Sequence, residues 1–206
     1  MYRLFFKRLF DLIFSILLFT VLSPLLILTA LLLGIYYRGN PFFTQKRPGL
    51  KKRVFRLIKF KSMVDLYDIH GELLPDAQRI TSVGIFLRKT SIDEIPQLIN
   101  VIVGDMSFIG PRPLLISYLP YYTDRENVRH NVRPGISGLA QVSGRNNLEW
   151  SDRLELDVQY VENLSFVNDC LIAIKTIENV IRAKDVTVVT ATTTLIDFRE
   201  KNPNWR

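Results

Sequence analysis

One cysteine, Cys170, stands in the 206 residues, so no disulfide can form within the chain. The two histidines, His70 and His130, lie far apart without zinc-ligand spacing, and no segment repeats. Acidic residues are the minority, 20 Asp and Glu against 27 Lys and Arg, which points to an anionic partner. Nucleic acid, anionic lipid headgroups and phosphorylated small molecules all fit that balance. The most informative absence is of charge itself, which vanishes from Leu12 to Tyr37. That run favours lipid and phosphorylated small molecules over nucleic acid. Without it, the chain reads as one basic, soluble-type domain with a single core, and the lack of a disulfide suits a cytoplasmic catalytic region.

The uncharged run holds 26 residues, long enough as one helix to span a bilayer core of about 30 Å at roughly 1.5 Å per residue. It exceeds the apolar length of a signal peptide, and no small-residue cleavage site follows it. Ser23-Pro24 falls near its middle. Pro24 removes a backbone donor and clashes with the preceding turn, so a kink is expected, and the Ser23 hydroxyl can satisfy a freed carbonyl. Each arm then has about 11 to 13 residues, which reaches only partway through the core and makes a re-entrant hairpin feasible. Arg3, Lys7 and Arg8 precede the run, and Arg38, Lys46, Arg47, Lys51, Lys52 and Arg53 follow it. Positive-inside bias therefore places both flanks in the cytoplasm. Asp11 is expected to pair with Lys7 or Arg8 at helical spacing. On the residues alone, a spanning helix and a hairpin both stay open.

Beyond the anchor, Phe42 to Gln45 and Arg53 to Ile58 are β-prone runs separated by Lys46-Arg47-Pro48-Gly49, a turn signal, which predicts a β-hairpin. Asp65 to Arg79 reads as a loop or short helix. A helix is predicted from near Ser91 to Val103, stopped by Gly104. Pro111 and Pro113 bracket Arg112 and stiffen its loop, and further loops carry Arg133 and Arg145. Leu164, Val167, Leu171, Ile174, Ile177 and Ile181 recur at spacings of three or four, an amphipathic helix read as packing against the core, with the bilayer surface as the alternative. Beyond Asp185 a Thr-rich run and polar tail are expected to be poorly ordered.

Arg88-Lys89-Thr90-Ser91-Ile92-Asp93-Glu94 carries the chemistry. Ser91 to Glu94 fits a capping box, in which Glu94 would bond back to the Ser91 amide. Pro96 argues for a later start, nearer Asp93. In either frame the carboxylates sit at a helix start, where the macrodipole favours their ionised form. An ionised Asp is a competent nucleophile toward phosphorus, and adjacent carboxylates can share Mg²⁺ with a diphosphate. Arg88, Arg112, Arg133 and Arg145 are candidate phosphate clamps, each alternatively a solvated surface charge.

Ordered motifs extend through most of the chain: Lys7-Arg8 with Asp11, Ser23-Pro24, Phe43 to Gly49, Phe55 and Lys59 to Met63, Asp93-Glu94, Gly104 to Pro113, and Arg133 to Asn146. On these residues the chain resembles the small monotopic phosphoglycosyl transferases of the bacterial sugar transferase family, over a match reaching about Lys184. Its size is similar to that of the minimal members that start N-linked glycan assembly. The resemblance implies a mainly α fold with a small β-hairpin. An N-terminal re-entrant membrane helix-break-helix (1–38) would precede a compact cytoplasmic catalytic domain with amphipathic surface helices (39–185) and a tail (186–206). It implies placement at the bacterial inner membrane, on the cytoplasmic face. It also implies ping-pong transfer of a phosphosugar from a UDP-sugar, of the acetamido type, to undecaprenyl or another polyprenyl phosphate, with UMP released. Asp93 would be the nucleophile, and Glu94 would assist with Mg²⁺. Lys59, Arg88, Arg112, Arg133 and Arg145, with Pro111 and Pro113, would bind substrate. Ser137 and Ser143 stand where Thr and Asn are expected, which leaves the sugar open. The competing readings are a membrane-anchored protein that binds anions or lipid, in which Asp93-Glu94 is only a cap, and a phosphohydrolase that passes the phospho-aspartate to water.

Overall fold

The computed structural model describes residues 1–144, 148–182 and 193–203. After a π-helical turn at Tyr2–Phe6, helix α1 runs Lys7–Tyr36, followed by strands β1 (Phe42–Pro48) and β2 (Val54–Phe60). Helices α2 (Asp76–Arg79), α3 (Ser82–Thr90) and α4 (Gln97–Val103) lead to strand β3 (Ser107–Ile109). Helix α5 (Asp124–Asn127), strand β4 (Gly135–Ser137) and helices α6 (Leu139–Ser143), α7 (Trp150–Glu162), α8 (Phe166–Ile181) and α9 (Leu195–Lys201) complete the order. The fold is mainly helical with a small antiparallel hairpin, as the sequence suggests. In the hairpin Phe42 pairs with Phe60 and Pro48 with Val54.

Helix α1 is long and apolar enough to cross a membrane by length and composition. It passes through Pro24 as one helix, without dividing into two, although Pro24 donates no backbone bond. The freed Thr20 carbonyl accepts a bond from the Ser23 hydroxyl at 2.8 Å, the compensation expected of a serine preceding proline. Both ends of the helix rest on the same domain. At the first turns Lys7 pairs with Asp169 of α8 at 2.7 Å, Arg8 donates to the Val101 and Ile102 carbonyls, and Asp11 accepts from the Phe108 amide. The sequence suggested a local pair between Asp11 and Lys7 or Arg8. Each finds a distant partner instead, because burial against α4, β3 and α8 removes the water that would otherwise satisfy it. Toward the other end Leu33 packs with Phe60 and Leu87, and the Tyr37 and Thr81 hydroxyls share a bond. Between these anchors most apolar side chains face outward, Leu17, Val21 and Leu28 among them.

Helix α4 ends where predicted, with Gly104 in the left-handed region at φ 100. Its start differs from expectation. Ser91 is left-handed (φ 57) and terminates α3, Ile92–Glu94 forms a 3-10 turn, and Pro96 caps α4. The capping box therefore does not form, since a left-handed Ser91 cannot present its hydroxyl to the following turn. Strands β3 and β4 pair in parallel and join the two proline-rich loops. A Cβ on Gly135 would lie 2.1 Å from the Gly110 nitrogen, so only glycine permits that approach.

The apolar stripe of α8 is on the opposite side from the one expected. Ile172 and Asp169 face inward, while Val167, Leu171, Ile174, Ile177 and Ile181 are exposed, Ile181 by 78%. Asp169 must reach Lys7, Tyr2 and Tyr160, and that requirement turns the stripe outward. The tail also departs from expectation. Leu195 of α9 is fully buried beside Tyr118, Tyr122 and Leu154, and Arg199 bonds Glu126, so residues 193–203 pack as part of the domain.

Candidate active site

Asp93 and Glu94 occupy the 3-10 turn between α3 and α4, held in place by Ile92 against the Leu33, Phe60 and Leu87 cluster. Glu94 Oε1 accepts from Lys59 Nζ of β2 at 2.5 Å and from Arg112 Nη2 at 2.9 Å. Among the described residues nothing donates to the Asp93 carboxylate. Burial, with the Glu94 charge adding to it, pushes the Asp93 carboxyl up to about 6 against the pull of Lys59 and Arg112. A macrodipole favouring the ionised form was expected there. Desolvation outweighs it, because α4 begins only at Gln97 and spans seven residues. For Glu94 burial is again the largest influence and raises the pKa, but Lys59 and Arg112 together hold it well below the carboxylate range. The pair is thus split into a fixed anion and a carboxyl that titrates just below neutrality.

Arg88, in the last turn of α3, donates to the Ser62 hydroxyl at 3.1 Å and lies close enough to favour the Asp93 carboxylate. Arg112 is held from behind, where its carbonyl accepts from Arg129 Nη2 at 2.6 Å. Arg129 is buried in an ion pair with Asp157 of α7 at 2.8 Å. Pro111 and Pro113 wall a cavity of about 10 Å³ together with Pro48, Gly49 and His130. Arg133 lies elsewhere, with its Nε on the Gly104 carbonyl at the far end of α4. Arg145 falls outside the described residues. The structure therefore gathers Lys59, Arg88, Asp93, Glu94 and Arg112 and leaves Arg133 apart.

Sequence reasoning missed Arg129 and Asp157, whose 28-residue separation carries no local signal. As for a metal, both bonds to Glu94 fall on Oε1, so Oε2 and the Asp93 carboxylate remain as adjacent oxygen donors. Mg²⁺ accepts one or two carboxylates when substrate phosphates supply the rest, so the pair fits it. Among the described residues no third acidic, histidine or cysteine side chain joins them.

Comparison with protein families matches residues 2–183 to the family described as bacterial sugar transferase. The chain belongs to that family. Among its relatives is the uncharacterized sugar transferase EpsL of Bacillus subtilis, 46% identical over 87% of this chain and 89% of its own length. The undecaprenyl-phosphate galactose phosphotransferase of Salmonella typhimurium is 39% identical over 86% of this chain. The UDP-N-acetylgalactosamine-undecaprenyl-phosphate N-acetylgalactosaminephosphotransferase of Aeromonas hydrophila is 40% identical over the same share. This chain spans only 41% and 44% of those two, so it corresponds to one part of each. The kinship with bacterial phosphoglycosyl transferases expected from the motifs is borne out.

Proposed function

We propose that the protein transfers a phosphosugar from a UDP-activated acetamido sugar to undecaprenyl or another polyprenyl phosphate, releasing UMP by a ping-pong route. The observation that carries this is the desolvated Asp93 carboxylate, which accepts no bond from the described residues, beside a Glu94 anchored by Lys59 and Arg112. An Asp93 oxygen attacks the β-phosphorus of the donor. The bond from that phosphorus to the bridging oxygen breaks, and UMP leaves with the electron pair. A phosphate oxygen of the polyprenyl phosphate then attacks the same phosphorus, and the Asp93 carboxylate is released. Arg112 and Lys59 hold positive charge where the phosphoryl oxygens gather it, and they cost no reorganisation because Glu94 already fixes them. Mg²⁺ on Asp93 and Glu94 would neutralise diphosphate charge.

Both ends of α1 rest on one domain, which supports a re-entrant anchor (1–38) entering and leaving the cytoplasmic face of the inner membrane beneath a catalytic domain (39–185). A spanning helix would carry one end away from that domain. The outward stripe of α8 supports the same plane of contact, since Phe10 of α1 meets Phe166 of α8 at 5.4 Å. The residues from 186 onward include α9, which belongs with the catalytic domain.

The test is intact-protein mass spectrometry with Mg²⁺ and a panel of UDP-acetamido sugars, without lipid acceptor. A phosphosugar adduct is expected on the wild type and absent from Asp93→Asn, and adding polyprenyl phosphate should discharge it. An adduct on both proteins, or its loss to water alone, would sink the reading.

A further inference from the structure

Gln97 opens α4 and is only 2% exposed, yet its side chain makes no hydrogen bond with the described residues, and its Nε2 is buried without a partner. A leucine or methionine there would fill similar space at no such cost, because a buried amide left unbonded forfeits the bonds water gave it. The positions on either side of it are committed. Asn100, one turn on, donates from Nδ2 to the Arg56 carbonyl of β2 at 2.7 Å and accepts from the Ile58 amide at 3.1 Å. Glu94, one turn back, accepts from Lys59 of the same strand at 2.5 Å. These bonds pin the segment along β2 at two points, with Gln97 between them. From Asp93 to Val103 the buried polar side chains are Asp93, Gln97 and Asn100, and of these only Asn100 is bonded. Ile95 and Pro96 are both right-handed helical, so the backbone runs on from the 3-10 turn into α4 and sets Gln97 one turn beyond Asp93. Residues so spaced have Cβ atoms about 5 to 6 Å apart, within reach of a side chain as long as glutamine. An acceptor without a donor and a donor without an acceptor thus stand on neighbouring turns of one buried segment.

In the resting protein the charges of Lys59, Arg112 and Arg88 act on the Asp93 carboxylate. Once an Asp93 oxygen has bonded to phosphorus, the phosphoryl oxygens take up those charges, and the second Asp93 oxygen is left as a carbonyl oxygen. We propose that Gln97 is a positioning residue whose Nε2 donates to that second oxygen in the phospho-aspartate, holding the carboxyl plane while the lipid acceptor attacks. As the acceptor oxygen bonds to phosphorus, the bond from phosphorus to Asp93 breaks and its electron pair returns to the carboxylate. Negative charge then spreads onto the oxygen that Gln97 holds, and the hydrogen bond strengthens; Gln97 gives up no proton. In the first step the carboxylate loses charge, so the same bond brings no gain there. This rests on the transferase reading above and on its phospho-aspartate.

Single-turnover kinetics of the full-length protein in detergent, followed by intact-protein mass spectrometry, separate the two steps. With the UDP-acetamido sugar that labels the wild type, Gln97→Met and Gln97→Leu should form the adduct at the wild-type rate. Both should then release it to a short-chain polyprenyl phosphate about tenfold or more slowly, the loss of a bond to a developing charge. Their thermal midpoints should equal or exceed that of the wild type, because an unpaired buried amide has been removed. In protein isotope-labelled at its glutamine amides, a Gln97 amide proton, assigned by its absence from Gln97→Met, should move downfield when the adduct forms. Discharge at the wild-type rate in both variants would overturn the assignment and leave the transferase reading intact. Equal slowing of both steps would make Gln97 a packing residue and overturn it as well. No adduct on the wild type from any donor of the panel would remove the transferase reading itself, and this inference with it.

Discussion

Asp93 and Asp169 are equally hidden, each 7% exposed, yet they are treated in opposite ways. Asp169 has both oxygens committed, one to Tyr160 and the other to Tyr2 and Lys7. Asp93 accepts no bond from the described residues, and its neighbours act on it only through charge. A saturated buried carboxylate is a joint, here between α1 and α8. An unsaturated one is a store of reactivity, because its desolvation is not repaired by donors.

The sharpest way to break the contrast is to neutralise each acid. Asp93→Asn should abolish phosphosugar transfer, by roughly 10⁴-fold or more in kcat, as expected for loss of a nucleophile. Its thermal midpoint should be unchanged or higher, since an unpaired buried charge is removed. Asp169→Asn should do the reverse in the first instance. It leaves Lys7 buried without its countercharge, at a cost of about 3 to 5 kcal/mol, and thermal unfolding in detergent would record it. Equal stability losses in the two variants would erase the distinction.

Smaller effects sharpen it. Removing one of the two donors that hold Glu94, by Lys59→Gln or Arg112→Gln, should lower kcat about 10² to 10³-fold, in the range seen when a preorganised donor is lost. The pH profile gives a finer reading. The Asp93 carboxyl is raised to about 6, so the proposed nucleophile is protonated below that pH and competent above it. Adduct formation measured without added Mg²⁺, if slow enough to follow, should fall about tenfold per unit on the acid side of 6. Lys59 favours the ionised form, so Lys59→Gln should move that limb to higher pH. A limb near the ordinary aspartate range would show that Asp93 is not desolvated. The smallest effect on folding should come from the outer stripe of α8, where Ile174→Ser with Ile177→Ser should weaken vesicle binding while changing unfolding free energy by no more than about 0.5 kcal/mol.

Several of these features were legible in the residues and others were not. β-prone runs and a Pro-Gly turn signal predicted the hairpin, though β1 extends through Lys46 to Pro48 and the turn comes after it; Gly104 predicted the end of α4, and Ser23 predicted the repair of the carbonyl that Pro24 frees. Adjacent acids near arginines pointed to the site. The capping box at Ser91 was misleading, because its spacing is met while the backbone takes a left-handed turn. The stripe on α8 was read with the right period and the wrong facing. Arg129 and Asp157 gave no sign.

The sequence by itself determined most element types, the membrane-seeking segment and the adjacent acid pair of the candidate site, because these depend on local propensity, local hydropathy and side-chain chemistry. Only the tertiary structure decided which carboxylate is saturated, which way the apolar stripe of α8 faces and which arginines converge. Those depend on where distant segments meet. A stripe of leucine and isoleucine has the same hydropathy whether a protein core or a lipid surface is to cover it, and an arginine has the same charge whether an aspartate or a phosphate is to answer it.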